Sequence, residues 1–337
     1  MDMRQQQVER YREPSFEEAV DIADEVRQWR RDRRKVIAMR VVAALLIILA
    51  IGIGGFPTFL QYQSAQELRN TSNRSAQAVA GWPYPQADET FAAAKAYNRR
   101  LAASGQPILG EAQDPFSQVQ GGSQSSESGA AESNSASAKD KEYQSLLDSG
   151  SGVMGTIRIP KISVRLPIYH GTSQSALASG AGHLYGSSLP VGGRSTHAVI
   201  TGHRGLVEAM MFTRLDEMRV GDYFYIEVMG RTLGYKVDRI SVIEPNDTST
   251  LKIVPGEDRV TLMTCTPYGV NTHRLLVSAV RSAIPGVVPE ERNAAKDART
   301  IAITAAVATL LLGLLLVWLR RRPWHIRRHA AWWPKRG

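Results

Sequence analysis

The chain has 337 residues and one cysteine, and the residue types around that cysteine are those that activate a thiol. The run Thr261-Leu-Met-Thr-Cys265-Thr-Pro-Tyr-Gly-Val-Asn-Thr-His-Arg274-Leu-Leu-Val277 places an arginine after eight intervening residues. Residues 260–265 read as a strand, 267–272 as a loop and 274–280 as the returning strand. In an antiparallel pair the end of one strand and the start of the next share an edge of the sheet. This predicts Cys265 and Arg274 within side-chain reach of each other. A cation beside a thiol favours the nucleophilic thiolate, and a guanidinium there can instead hold an oxyanion with several donors.

A cysteine nucleophile also needs a partner that moves protons. Of seven histidines, His203 closes the strand-like His197-Ala-Val-Ile-Thr-Gly-His203 and runs into Arg204-Gly205, a setting at a sheet edge. His183, His197 and His273 compete with it and read as structural or surface groups. His325 and His329 fall on the cytoplasmic side by the topology below. Thr264, beside the cysteine, is a weaker candidate for placing substrate, since threonine in a strand needs no special reason. No metal or cofactor is expected.

The elements that must position these groups are short β-branched runs separated by Gly, Pro, Asn and Asp: 155–159, 164–168, 198–201, 223–228, 233–243, 259–265 and 274–281. They predict an all-β barrel or sandwich of about 130 residues, with 208–218 as its one helix or helical turn. Ahead of it, 88–103 reads as a helix, with Asp88 as N-cap, Phe91, Ala94, Tyr97 and Leu101 along one side and Gly105 beyond its end. Residues 117–141 are crowded with Ser, Gly, Gln and Ala and cannot build a core, which predicts a flexible linker. Residues 1–35 carry Phe16, Val20, Ala23 and Val26 at helical spacing on a charged background.

Two uncharged stretches, 41–60 and 301–319, are each about long enough to cross a bilayer as a helix, which takes roughly 20 residues. The first is weakened near its end by Gly52, Gly54, Gly55 and Pro57. Arg30, Arg31, Arg33, Arg34 and Lys35 precede it, and Arg320, Arg321 and Arg322 follow the second. Basic flanks stay in the cytoplasm, so both termini are expected inside and 61–300 outside. About forty residues before the first span favour an anchor over a cleaved signal peptide. The net charge of +9 fits this topology: the last 18 residues hold seven basic and no acidic groups, while 41–319 is nearly balanced at 24 basic and 23 acidic. The high pI therefore gives no support to nucleic-acid binding. One cysteine excludes an intramolecular disulfide, and an external free thiol is open to oxidation unless buried.

The cysteine run resembles the signature of sortases, closest to the class C, pilin-polymerising members. Gly182-His-Leu-Tyr-Gly-Ser-Ser-Leu-Pro-Val-Gly-Gly193, followed by Thr196-His-Ala-Val-Ile-Thr-Gly-His203-Arg-Gly-Leu, resembles the same class. The similarity covers roughly 153–283. It implies a mainly β fold, an eight-stranded sortase-type β-barrel with short helices, flanked by two transmembrane helices. It also implies catalytic roles for His203, Cys265 and Arg274. Asp114-Pro115-Phe116 has the form of the class C lid motif, which implies Asp114 against Arg274 and Phe116 over Cys265; Asp-Pro is also an ordinary turn former.

The expected organisation is a cytoplasmic segment (1–40), a span (41–60), an external helical region with lid and linker (61–152), the catalytic barrel (153–283), a linker (284–300), a second span (301–319) and a basic tail (320–337). The resemblance implies cleavage of a Leu-Pro-x-Thr-Gly-like sorting signal and transfer of the acyl group to a pilin lysine. Partners would then be pilins or surface proteins bearing that signal, and the lipid bilayer. Anchoring to a cell-wall amine is the alternative acceptor, and a non-enzymatic β-domain scaffold the alternative class. Tyr169-His-Gly-Thr172 superficially suggests a peptidoglycan-directed cysteine transpeptidase, but Met263-Thr-Cys-Thr lacks the Ser-x-Gly-Cys-type motif such enzymes use.

Overall fold

The computed structural model describes residues 16, 21, 23–107, 109, 135–150, 152–206, 208–286 and 306–314. The chain divides into a unit Met1–Ser64 and a unit Ala65–Gly337. Among the described residues, the first consists mainly of the N-terminal part of helix α1 (Ala23–Ala80). Its Leu45, Leu46, Ile48, Leu49, Ile51 and Ile53 are exposed. Among the described residues, α1 is the one helix long and apolar enough to cross a membrane. The glycines and Pro57 do not end it. A proline removes one hydrogen bond, and a helix this long retains many others on either side. Of the second expected span, 306–314 is helical and the remainder lies outside the described residues.

In the second unit, helix α2 (Gln86–Ala103) turns Phe91, Ala94 and Asn98 inward, the i, i+3, i+7 spacing of a single face. Its start lies two residues before the expected Asp88, behind Pro85. Asn98 fastens it to the barrel by a reciprocal pair, giving Nδ2–H to the Leu189 carbonyl (2.9 Å) and accepting from the Leu189 N–H (2.7 Å). Two short helices follow, α3 (Ala136–Lys139) and α4 (Lys141–Ser145), capped by Ser135 and Asp140; helix α5 (Gln174–Ser179) is capped by Ser173.

Eight strands make a closed barrel: β1 (Val153–Ile159), β2 (Val164–His170), β3 (Ala181–His183), β4 (Thr196–Thr201), β5 (Tyr223–Val228), β6 (Arg231–Ile243), β7 (Asp258–Thr266) and β8 (His273–Arg281). Their order around the barrel is β1-β2-β3-β4-β7-β8-β6-β5. The expected strands all form, and β3 joins them; three residues are too few for a periodic signal. The expected helix or helical turn over 208–218 takes the shorter form, a 3-10 turn at Leu215–Glu217. Met211 adopts φ 36°, and the Phe212 N–H turns back to the His203 carbonyl, diverting the bonds an α-helix would need.

Side chains alternate across each strand. On β4, β7 and β8, Ile200, Leu262 and Val277 belong to the main core, while Val199, Met263 and Leu276 belong to a second cluster with Leu184, Ile243 and Leu251. These three strands therefore bury both faces, and their outer face is the one that carries the site.

Candidate active site

Two registers bring the three candidate residues into one row. In the antiparallel β7–β8 pair, Cys265 lies directly opposite Arg274. The parallel β4–β7 pair matches Val199 with Thr261 and Thr201 with Met263. Past Thr201 the two chains stay in step, since the Gly202 N–H donates to the Met263 carbonyl (3.1 Å) and the Thr264 hydroxyl to the Gly202 carbonyl (2.7 Å). The next step sets His203 beside Cys265. Neighbouring strands lie about 4.8 Å apart, so His203, Cys265 and Arg274 span three strands side by side.

Local sequence enforces this. A Cβ on Gly202 would stand 2.7 Å from the Phe212 ring, so only glycine lets that ring close beneath the histidine. Gly205 has φ +86°, and its backbone lies against the Tyr268 ring. The Gly-His-Arg-Gly run is thus a turn shaped by close approach at both ends.

All three candidate side chains are buried: His203 at 8 % exposure, Cys265 at 4 % and Arg274 at 2 %. The thiol packs against Leu177 of α5, an apolar cover suited to shielding it from oxidants. Burial pushes the His203 imidazole below its ordinary value, which favours the neutral ring. Arg274 gives Nη1–H to the carbonyls of Asn271 and His273 (2.9 Å each), so its cation also braces the loop between β7 and β8. Thr264 is fully buried, and its hydroxyl is given to Gly202. It ties the histidine's segment to β7 and presents nothing to a substrate.

The competing histidines have other partners. His197 is held between the Lys252 carbonyl (Nδ1, 2.9 Å) and the Thr261 hydroxyl (Nε2, 2.7 Å). His183 lies between the Tyr143 hydroxyl (2.9 Å) and the Ser188 carbonyl (2.8 Å). Burial pushes both down to about 4. His273 is exposed. Asp114 and Phe116 lie outside the described residues. Sequence reasoning missed Leu177, Phe212 and Arg204. Only Arg204 had a signal, being a cation directly after the candidate acid–base in a glycine-bounded turn.

A thiol, an imidazole and a guanidinium in one buried row on a barrel's outer face are the groups that acyl transfer requires. The family model described as Sortase domain matches residues 157–282. "Sortase C1 of GBS Pilus Island 1" is 38% identical with a TM-score of 0.55, and the match covers 66% of this chain and 97% of that one. The chain belongs to the sortase family. Sortase C of Streptococcus pneumoniae is also similar, at 38% identity and TM-score 0.53, over 65% of this chain and 99% of its own; these likenesses put this sortase with class C. Among curated proteins, Sortase A of Streptococcus agalactiae is 30% identical over 130 residues, 38% of this chain and 52% of that protein. The chain spans about half the length of the curated relatives it matches.

Proposed function

We propose that this sortase is a pilin polymerase: a cysteine transpeptidase that cleaves a Leu-Pro-x-Thr-Gly-like signal between Thr and Gly and joins the acyl group to a lysine of another pilin subunit. The single row of His203, Cys265 and Arg274 carries the reading. The Cys265 thiol passes its proton to the neutral His203 ring as its sulfur attacks the threonine carbonyl, and Arg274 holds the developing oxyanion. As the C–N bond breaks, His203 gives its proton to the leaving glycine amine. The thioester that remains is attacked by the lysine amine, whose proton passes through His203 to the departing sulfur. The product is an isopeptide bond, and the site returns to its starting state. The likeness to a sortase described with a pilus island supports pilin as the substrate.

Asp114 and Phe116 belong to a lid over this row. Support comes from where the chain enters that segment. Gln106 gives Nε2–H to the Gly186 carbonyl and accepts from the Ile253 N–H (2.9 Å each), and Leu109 packs on the second cluster, on the same face as the thiol. Five residues reach at most about 17 Å, while Cys265 is only two residues along β7 from Met263 of that cluster. The enzyme is held in the cell membrane by two spans, with both termini cytoplasmic and the barrel outside; the apolar α1 supports the first span.

The test is incubation of the full chain in detergent with pilin subunits that carry a sorting signal. Wild type yields covalent ladders and Cys265→Ala yields none. Ladders that persist in the variant overturn the reading. Cleavage with transfer to small cell-wall amines but never to pilin lysine moves it to anchoring.

A further inference from the structure

Arg204 follows the acid–base residue directly, yet its side chain turns away from solvent, at 7 % exposure. Burying a guanidinium is costly unless it is paired, so its contacts indicate what holds it there. Nη1 donates to the Thr266 hydroxyl (3.1 Å) and, more weakly, to the Cys265 carbonyl (3.4 Å). Nη2 pairs with the carboxylate of Asp216 on the 3-10 turn. The guanidinium carbon stands 5.9 Å from the Tyr268 ring centre, within cation–π range. Nε alone has no acceptor among the described residues. The group is seated where the end of β4 meets the end of β7. Arg274 flanks Cys265 from β8, and Arg204 reaches it from the β4 side.

We propose that Arg204 is a positioning residue for acyl transfer, holding the backbone of Cys265 against the turn that carries His203 and keeping a second cation near the thiol. This rests on Cys265 being the nucleophile. A planar fork spans the Cys265 carbonyl, the Thr266 hydroxyl and Asp216 together, whereas an ammonium on a single stem cannot. Charge and geometry can therefore be separated by substitution.

The experiment uses the full chain in detergent with Arg204→Gln, Arg204→Lys and Asp216→Asn. It reads iodoacetamide alkylation of Cys265 against pH, and kcat and KM on a sorting-signal peptide. Arg204→Gln is expected to lower kcat about 30-fold with KM within about 3-fold, because the defect lies in the reacting groups. Its alkylation midpoint moves to higher pH, as loss of a nearby cation disfavours thiolate. Arg204→Lys keeps the midpoint but loses about 10-fold in kcat. Asp216→Asn, at a half-exposed side chain, loses about 3-fold. An unchanged kcat and an unchanged midpoint in Arg204→Gln overturn the proposal. If that variant does not fold, unchanged kcat in both others overturns it. Activity surviving in Cys265→Ala would instead sink the nucleophile assignment, which is a separate failure.

Discussion

A histidine stands at each end of the outer face of β4, β7 and β8, His197 within β4 and His203 two residues past its end, and the two ends do opposite things. At one end His197, Thr261 and Ser278 form a closed chain: the imidazole contacts the Thr261 hydroxyl, which contacts the Ser278 hydroxyl at 2.8 Å, and the other ring nitrogen is held by the Lys252 carbonyl. At the other end His203, Cys265 and Arg274 form a row of reactive types, with the Thr264 hydroxyl tying the histidine's segment to β7 and Arg274 bracing the β7–β8 loop. Both imidazoles are pushed down by burial. A buried histidine with both nitrogens committed stabilises a sheet. One set beside a thiol at the strand ends, where loops from several elements meet, can carry protons.

The largest effect that separates the ends is catalytic. His203→Ala is expected to lower kcat about 10³-fold with the unfolding midpoint little changed, read by peptide turnover and urea titration; a loss below 10-fold would erase the distinction. Arg274→Lys keeps the charge but loses the planar fork, and a drop of about 10²-fold in kcat is expected, with KM measured alongside. Next comes stability against pH. His183 and His197 are held at about 4, against about 6.5 for a free imidazole. The unfolded chain takes up protons that these sites refuse. Stability is therefore complete above pH 6.5 and lost as pH falls towards 4, by about 3 kcal/mol for each group. In urea unfolding across that range, His197→Gln should flatten its share of the slope. At neutral pH the same variant should cost about 2 kcal/mol and leave the Cys265 alkylation profile unmoved. The smallest effect is expected at the proposed lid: if Phe116 covers the thiol, Phe116→Ala speeds alkylation of Cys265 by about 3-fold, equivalent to less than 1 kcal/mol, and an unchanged rate would remove Phe116 from the site.

The strand–loop–strand around Cys265 was legible because one antiparallel hairpin sets its own register: Cys265 and Arg274 had to face each other once both strands formed. His203 was less so. Its place depends on the parallel pairing of β4 with β7, and nothing local in either strand announces a partner some sixty residues away. The histidines sorted for the same reason, since His183 and His197 are explained by Tyr143, Ser188 and Lys252, contacts made only in the folded chain. Leu177 gives no signal at all; a leucine in a short helix looks the same whether it covers a thiol or fills a core. Over 208–218 the chain keeps a helical turn and no more, because the carbonyl of His203 captures the Phe212 N–H. Pro57 misled, since a local breaker did not outweigh the helix around it.

Thioacyl capture tests the row most directly. The full chain, in detergent, is mixed with a sorting-signal peptide without an acceptor amine, and the intact protein mass is read. The expected result is a gain equal to the peptide fragment ending at threonine, lost on hydroxylamine treatment and absent in both Cys265→Ala and His203→Ala. A gain that resists hydroxylamine, or that persists without Cys265, would contradict acyl transfer at this site.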